Sequence, residues 1–332
     1  MDPLGVVELT RLLVDIDSTT GQEGRCGRVL ADYLRGRGFA VTEQQVDGDR
    51  FNVLAAVGTP RVVLSTHFDC VPPFFPSRIE GSRLYGRGSC DAKGILAAQV
   101  EAVERLRAAG VRDIGMLYVV GEERGSDGAA AANRLADGSC RFLINGEPTD
   151  NRLGLATRGV FRTRLRASGR AAHSSHPELG ESAIEKLIDA LVKLRSLPLP
   201  EDPDLGRTHY TVGLIEGGVA PNVIPPSATA EVLVRTVGPP AEVRQAMRAL
   251  EPLVTLEDVL EGPPVRMHTV PGFETAVFPY MTDIPLLDRW GKPLLYGPGS
   301  VLVAHTDEEH IEIADLDRAV DDYVRLVHAL LG

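Results

Sequence analysis

The sequence has few cysteines and no long apolar run. Its 332 residues include four cysteines, Cys26, Cys70, Cys90 and Cys140, which are far apart and form no CxxC pair. This spacing argues against a disulfide framework and against a sulfur-ligated metal site, and it favours reduced thiols. No stretch approaches the roughly 18 apolar residues of a membrane-spanning helix. We therefore expect no transmembrane segment.

An excess of positive charge is also missing. Acidic residues outnumber basic ones by 46 to 35, and the net charge of −11 argues against nucleic acid or anionic membranes as partners. The first residues, MDPLGVVELTRLLVDIDS, are acidic and amphipathic, without the basic and then apolar layout of a signal peptide. We expect a soluble, cytoplasmic protein.

The first part of the chain alternates strands with helices. Short apolar runs rich in β-branched residues predict buried strands at Val62–Ser65, Ile114–Val120 and Phe142–Asn145. Between the first two of these strands, the spacing of apolar residues predicts an amphipathic helix over Ile95–Ala109. This alternation indicates an α/β fold with a mostly parallel sheet.

The pattern changes near Gly159. The segment Val160–Ala167 alternates apolar and polar residues, which suits a sheet with one solvated face. The predicted elements from there on have the order β-α-β-β-α-β, as in a ferredoxin-like α+β sandwich. After Pro263–Pro264 the α/β pattern returns. We predict a larger domain split between residues 1–158 and 265–332, with a smaller domain inserted at 159–264.

The stretch RVVLSTHFDCVPP places chemically active residues at the end of a predicted buried strand. His67 and Asp69 are two residues apart, so in an extended segment their side chains point to the same side. A histidine with an orienting carboxylate is a common arrangement at metal sites. Taken alone, the pair would also suit an ordinary solvated loop.

Three further strand exits or strand-following loops carry acidic residues. Asp91 lies in GRGSCDAKG, Glu122 and Glu123 lie in GEERGSDG, and Glu147 lies in GEPTD. Because ligand sites gather at the carboxyl ends of parallel strands, we expect these carboxylates to converge with His67. Crowded carboxylates repel one another unless cations compensate them.

Two histidines and three carboxylates form an N/O ligand set. His305, in the late segment AHTDEEH, would supply the second imidazole. Such a set suits zinc, with cobalt and manganese as alternatives. Glu122 and Glu123 could instead form a solvated turn, but they follow the apolar run Met116–Val120, where an unpaired buried acid would be costly.

Five motifs occur along the chain in a fixed order, HFDCVP, YGRGSCDAKG, GEERGSDG, GEPTD and AHTDEEH. In this order they resemble the dinuclear zinc aminoacylase and carboxypeptidase family. That family contains acetylornithine deacetylase, succinyl-diaminopimelate desuccinylase and the LysW-linked lysine-pathway deacetylase. The resemblance spans nearly the whole chain and implies a zinc-peptidase-like catalytic domain, with the inserted domain as a lid and dimer interface.

By matching position, the resemblance implies five metal ligands: His67, Asp91, Glu123, Glu147 and His305. Asp91 would bridge two zinc ions, with Glu123 and His305 on one ion and Glu147 and His67 on the other. Spacing alone does not assign a residue to either ion.

The same resemblance implies two catalytic carboxylates. Asp69 would orient His67, and Glu122 would be the general base.

The inserted domain would supply substrate contacts. His173, in GRAAHSSHPELGESAIEKL, matches a family histidine that completes the partner subunit's active site, which implies a homodimer. The segment GGVAPNVIPPSATAEVLVR points to Asn222 as a polar contact and to Arg235 as the binder of a substrate carboxylate. The alternatives are a surface histidine and a surface charge at a strand end.

The function that we predict is the removal of an acyl group from an N-acyl amino acid by a dizinc amide hydrolase similar to acetylornithine deacetylase. A dipeptidase or carboxypeptidase is the main alternative, followed by a desuccinylase. A binding protein that retains the fold would have lost a ligand or the base, and here all of them are present. The acyl group, the native metal and the pathway stay open.

Overall fold

The computed structural model describes residues 3–332. Within that range the chain forms the α-helices α1 (Val6–Val14), α2 (Gly24–Gly36), α3 (Lys93–Ala108), α4 (Asp127–Ala132), α5 (Ala183–Leu194), α6 (Pro240–Met247) and α7 (Ile313–Leu331). No helix among these residues is long and apolar enough to cross a lipid bilayer.

The strands are, in chain order, β1 (Ala40–Asp47), β2 (Arg50–Val57), β3 (Val62–His67), β4 (Arg78–Glu80), β5 (Arg83–Tyr85), β6 (Ile114–Val119), β7 (Phe142–Asn145), β8 (Leu153–Thr157), β9 (Gly159–Ser168), β10 (Glu201–Asp202), β11 (Gly206–Arg207), β12 (His209–Gly217), β13 (Ser227–Thr236), β14 (Thr255–Gly262), β15 (Val265–Arg266), β16 (Thr275–Phe278), β17 (Lys292–Leu295) and β18 (His310–Glu312).

The chain divides into two compact units. The first unit contains the described residues up to Leu155, then Met267–Ala276 and Thr282–Gly332. The second contains Ala156–Arg266 and Val277–Met281.

The first unit is built on a mixed sheet with the strand order β1-β2-β6-β3-β7-β17. Strands β6, β3, β7 and β17 run parallel, whereas β1 pairs antiparallel with β2, and β2 with β6. The sheet is therefore mixed: its four parallel strands agree with the prediction, and the antiparallel pairing of β1 with β2 departs from it. The reason is a tight turn at Gly48, which has a left-handed φ of 55° and reverses the chain between β1 and β2.

Both faces of this sheet are covered, which explains the uninterrupted apolar run in β3. Val62 and Leu64 face the main core, which includes buried side chains of α1, α2, α3 and α7. Val63 points the other way, into a smaller cluster with Leu143 and Trp290. Every residue of β3 is buried as a result.

The second unit has the element order β9-α5-β12-β13-α6-β14 and an antiparallel sheet with the order β12-β13-β9-β14. Phe161 and Leu165 of β9 are buried in a core with apolar side chains of α5 and α6. Arg162, Arg164 and Arg166 alternate with the buried residues of β9 and form ion pairs with Glu231 or Glu257. This alternation follows the predicted half-solvated strand.

Candidate active site

His67 is the last residue of β3, and its imidazole is buried between two carboxylates. Its Nε2 atom lies 3.0 Å from Asp91 Oδ1, and its Nδ1 atom lies 3.1 Å from the carbonyl oxygen and 3.4 Å from Oδ1 of Asp69. Burial disfavours the charged ring, but the hydrogen bonds to Asp69 and Asp91 outweigh it and raise the pKa of His67 well above its ordinary value. The imidazole is held in one orientation.

Asp69 contacts both His67 and the segment that carries the predicted base, Glu122. Its Oδ1 atom accepts the backbone N–H of Glu122 at 3.1 Å, and its Oδ2 atom accepts the N–H of Glu123 at 3.2 Å. The hydroxyl of Thr20 donates to the same Oδ2 atom at 2.8 Å. Asp69 is therefore saturated with donors, and it suits an orienting role better than proton transfer.

Three of the predicted ligands form a compact cluster. One ligand atom from each of His67, Asp91 and Glu123 lies within 4.8 Å of the others. His305 extends the cluster, since its Nε2 atom lies 2.9 Å from Glu123 Oε1 and 3.4 Å from Asp91 Oδ2. These two carboxylates raise the pKa of His305 to about 10. Asp91 therefore lies between the two imidazoles.

Glu147 follows β7 and is almost fully buried. Its Oε1 atom has no hydrogen-bond partner among the described residues, although a buried carboxylate oxygen ordinarily has one. Burial raises the pKa of Glu147 well above its ordinary value, and the negative charges of Glu122 and Asp91 add to the effect. An unsatisfied buried acceptor beside other carboxylates fits a cation ligand.

Glu122 lies in a short 3₁₀ turn that begins after Gly121. Burial raises the pKa of Glu122 well above its ordinary value, and the negative charges of Asp283, Glu123 and Asp91 add to the effect. The structure thus brings the predicted base together with the predicted ligands. The chemistry of the donors and the unsatisfied oxygen at Glu147 both fit divalent cations, which would neutralise the crowded acids.

The remaining predicted residues lie in the second unit. His173 and Asn222 are exposed on neighbouring segments: His173 forms a backbone bridge with Val223, and the N–H of Ser174 donates to the carbonyl of Asn222 at 3.0 Å. Arg235 is half-buried on β13. Burial lowers its pKa, and no hydrogen bond or ion pair engages its guanidinium within residues 3–332. The roles of these three residues stay predictions.

Several buried or partly buried polar residues beside the cluster were not predicted. Glu309 and Arg87 form a buried ion pair next to Asp91, Thr20 contacts Asp69, and Asp283 lies near the base. The sequence carries a signal for Glu309, because three acids, Asp307, Glu308 and Glu309, follow His305 in AHTDEEH. The sequence does not reveal which of them is buried.

Comparison with known proteins identifies the family. A model described as Peptidase family M20/M25/M40 matches residues 63–329. The chain belongs to this family. It is 38% identical to a peptidase M20 domain-containing protein of Schizosaccharomyces pombe over 97% of this chain and 84% of the relative. It is 39% identical to a probable carboxypeptidase of Aspergillus terreus over 97% of this chain and 85% of the relative.

The fold has a solved counterpart. A tripeptidase from Staphylococcus aureus superposes with a TM-score of 0.82 at 20% identity, covering 98% of both chains. The protein is thus an M20 metallopeptidase, a metal-dependent hydrolase of amide bonds, as the motifs predicted. Closeness to acetylornithine deacetylase is not shown, and the dipeptidase or carboxypeptidase alternative is better supported.

Proposed function

We propose that the protein is a dizinc carboxypeptidase or dipeptidase, which cleaves a peptide bond next to a free α-carboxylate. The observation that carries the hydrolytic part is the base Glu122 beside the cluster of His67, Asp91, Glu123 and His305. Relatives named probable carboxypeptidase support the choice of substrate. Removal of an acyl group from an N-acyl amino acid is the second candidate, because that substrate carries the same carboxylate.

The metal centre would be held by His67, Asp91, Glu123, Glu147 and His305. Two bound zinc ions would supply Lewis acidity at the scissile carbonyl and a water that is acidic near neutrality, with cobalt or manganese as alternatives. Asp69 keeps His67 in position through the Nδ1 contacts and fixes the base segment through the N–H groups of Glu122 and Glu123.

The protein's own groups would then move the proton. The carboxylate of Glu122 takes a proton from the attacking water and returns it to the leaving nitrogen. A raised pKa suits the first step, because a stronger base accepts the proton of the water more readily near neutral pH. His173, supplied by a partner subunit, would stabilise the developing oxyanion.

Arg235 would hold the substrate carboxylate, with Asn222 as a second polar contact. The guanidinium is half-buried and has no anionic partner in residues 3–332, so its desolvation is uncompensated until an anion binds. We expect R235M to raise KM strongly for substrates with a free α-carboxylate and to leave their amidated analogues unaffected. R195M, which removes an exposed arginine of the same unit, should change neither KM.

The substrate class is tested by measuring metal content together with hydrolysis of matched amides. Dipeptides, N-acetylornithine, N-acetyllysine and succinylated amino acids are compared with and without a chelator. Chelator-sensitive cleavage of dipeptides, with little release of acetate or succinate, is the expected result. Faster release of acetate would favour the deacylase, and no metal after reconstitution would contradict the metal centre itself.

A cytoplasmic location and a homodimer formed through the inserted domain remain parts of this proposal. Sedimentation of the full chain would give the oligomeric state. Mixing H173A with E122Q would test whether His173 acts across subunits, because complementary dimers regain activity only in that case.

A further inference from the structure

Arg87 and Glu309 form a completely buried ion pair beside the predicted metal centre. Arg87 Nη1 donates to Glu309 Oε2 at 2.6 Å, and the two side chains are 2% and 0% exposed. The guanidinium lies 5.0 Å from the ring centre of Phe75, and its Nε atom donates to the carbonyl of Pro73 at 3.2 Å. The arginine is thus fixed in one position.

The other oxygen of Glu309 organises the segment that carries Asp91. Glu309 Oε1 accepts three backbone N–H groups, from Gly88 at 2.9 Å, Cys90 at 3.1 Å and Asp91 at 3.0 Å. The chain from 88 to 91 therefore curls around a single carboxylate oxygen. A charged acceptor with several backbone donors holds a loop more firmly than neutral hydrogen bonds do.

Stability alone is a weak explanation for this pair. Burial of two charges is costly, and apolar side chains of similar volume often serve a core equally well. An apolar pair, however, could not accept three N–H groups, so it could not define the path of the chain at Asp91. Glu309 also lies four residues after His305. The carboxylate therefore links the segments of two predicted ligands.

We propose that Arg87 and Glu309 are positioning residues for the metal centre. Glu309 fixes the backbone of Asp91 and hence the position of the carboxylate that would hold the ions, and Arg87 fixes Glu309 through their ion pair. The inference rests on the metal centre of the proposed function, but not on the choice of substrate.

The test measures zinc affinity of the metal-free full-length protein by competition with a chromophoric chelator. We expect E309Q to weaken zinc binding by about 10–100-fold, the usual effect of removing a group that orients a ligand. Cobalt absorption bands, which report ligand geometry, should shift in the same variant. If E309Q leaves Arg87 unpaired and fails to fold, R87M/E309Q takes its place in the test, because the double variant removes both charges at once.

The matched control is E104Q, which breaks the partly buried pair of Glu104 with Arg37 elsewhere in the first unit. It should lower the thermal stability and leave zinc affinity and the cobalt spectrum unchanged. If folded E309Q or R87M/E309Q binds zinc like the wild type, with the same cobalt spectrum, the positioning role is overturned. If the wild type itself binds no zinc, the metal centre of the proposed function fails first.

Discussion

At the scale of single residues, Glu122 has the environment that a general base needs. Burial and the nearby charges of Asp283 and Glu123 raise its pKa, so it is a better proton acceptor than an ordinary glutamate. Glutamine has nearly the same volume but accepts no proton. We expect E122Q to lower kcat by about 10²–10⁴-fold while two metal ions remain bound.

Steady-state kinetics and metal analysis of the same preparation check this prediction. E308Q removes an exposed acid near His305 and is the control that should keep normal turnover. Undiminished turnover in E122Q would assign the base to another residue.

Asp283 is a second residue whose environment has a measurable effect, in this case on how the stability depends on pH. Burial raises the pKa of Asp283 to about 6, and its Oδ1 atom has no hydrogen-bond partner in residues 3–332. The carboxyl group ionises near pH 4 in the unfolded chain. The folded state therefore loses stability relative to the unfolded state as the pH rises from about 4 to about 6.

D283N removes this penalty. In metal-free protein at pH 7 the variant should be more stable than the wild type by up to about 3 kcal/mol, and the difference should vanish below about pH 4. Urea unfolding at several pH values measures it, with D317N on the exposed face of α7 as the control. A variant that is less stable at pH 7 would show that the carboxylate is needed where it lies.

At the scale of elements, the turn of Gly121–Ser126 determines where the base lies. Gly121 has a left-handed φ of 79°, and a Cβ atom built there would lie 2.0 Å from Asp127 Oδ1 and 2.7 Å from Arg50 Nη2. Gly125 also has a positive φ, of 115°, but a Cβ atom there would meet nothing within 4 Å. The two glycines share the backbone requirement and differ in the space around them.

We expect G125A to cost about 1–2 kcal/mol of stability through backbone strain alone. G121A should cost more and should also lower kcat, because the Asp127–Arg50 pair has to move and the turn of Glu122 moves with it. Thermal unfolding and kinetics of the two variants distinguish these effects. Equal kcat values would mean that the base does not depend on this contact.

The sequence predicts some elements of the structure better than others. The helix predicted over Ile95–Ala109 forms as α3, over Lys93–Ala108, because the spacing of its apolar residues is a local signal. The convergence of His67, Asp91, Glu123 and His305 was also predicted. His67 and Glu123 lie at or just after the ends of neighbouring parallel strands of one sheet, whereas Asp91 precedes α3 and His305 lies in the loop before β18. Their ligand roles stay predictions.

The buried polar contacts of Glu309 could not be predicted from local signals of this kind. Glu309 binds backbone groups of residues about 220 positions earlier, and no periodicity records a contact of that kind. The direction of β1 and β2 was missed for a different reason. Asp47–Gly48 is a local hairpin signal, but the alternation of strands with helices in the rest of the first unit favours parallel pairing.

At the scale of the whole molecule, metal binding should control stability. Without cations, the acidic groups of Asp91, Glu122, Glu123 and Glu147 crowd one another, and burial raises the pKa of three of them. A ligand that binds only the folded state stabilises it by about 4 kcal/mol at a thousand times its Kd. We expect a chelator to lower Tm and zinc to restore it.

Calorimetry with and without zinc measures this shift. H67A should lose most of it, whereas E122Q should retain it, since only the first variant lacks a proposed ligand. A zinc-independent Tm in the wild type would contradict the site.

The first unit is formed by separated parts of the chain, and this affects its folding during synthesis. Leu316, Tyr323 and Val327 of α7 complete the core that α1 and α3 begin. On the ribosome, the 204 residues between the end of α3 at Ala108 and the start of α7 at Ile313 are synthesised first, which takes about 10 to 40 seconds. During that interval α1 and α3 can pack against each other and against the sheet, but the apolar surface that α7 covers has no partner. We therefore expect nascent chains that stop short of α7 to expose apolar surface of the kind that chaperones bind.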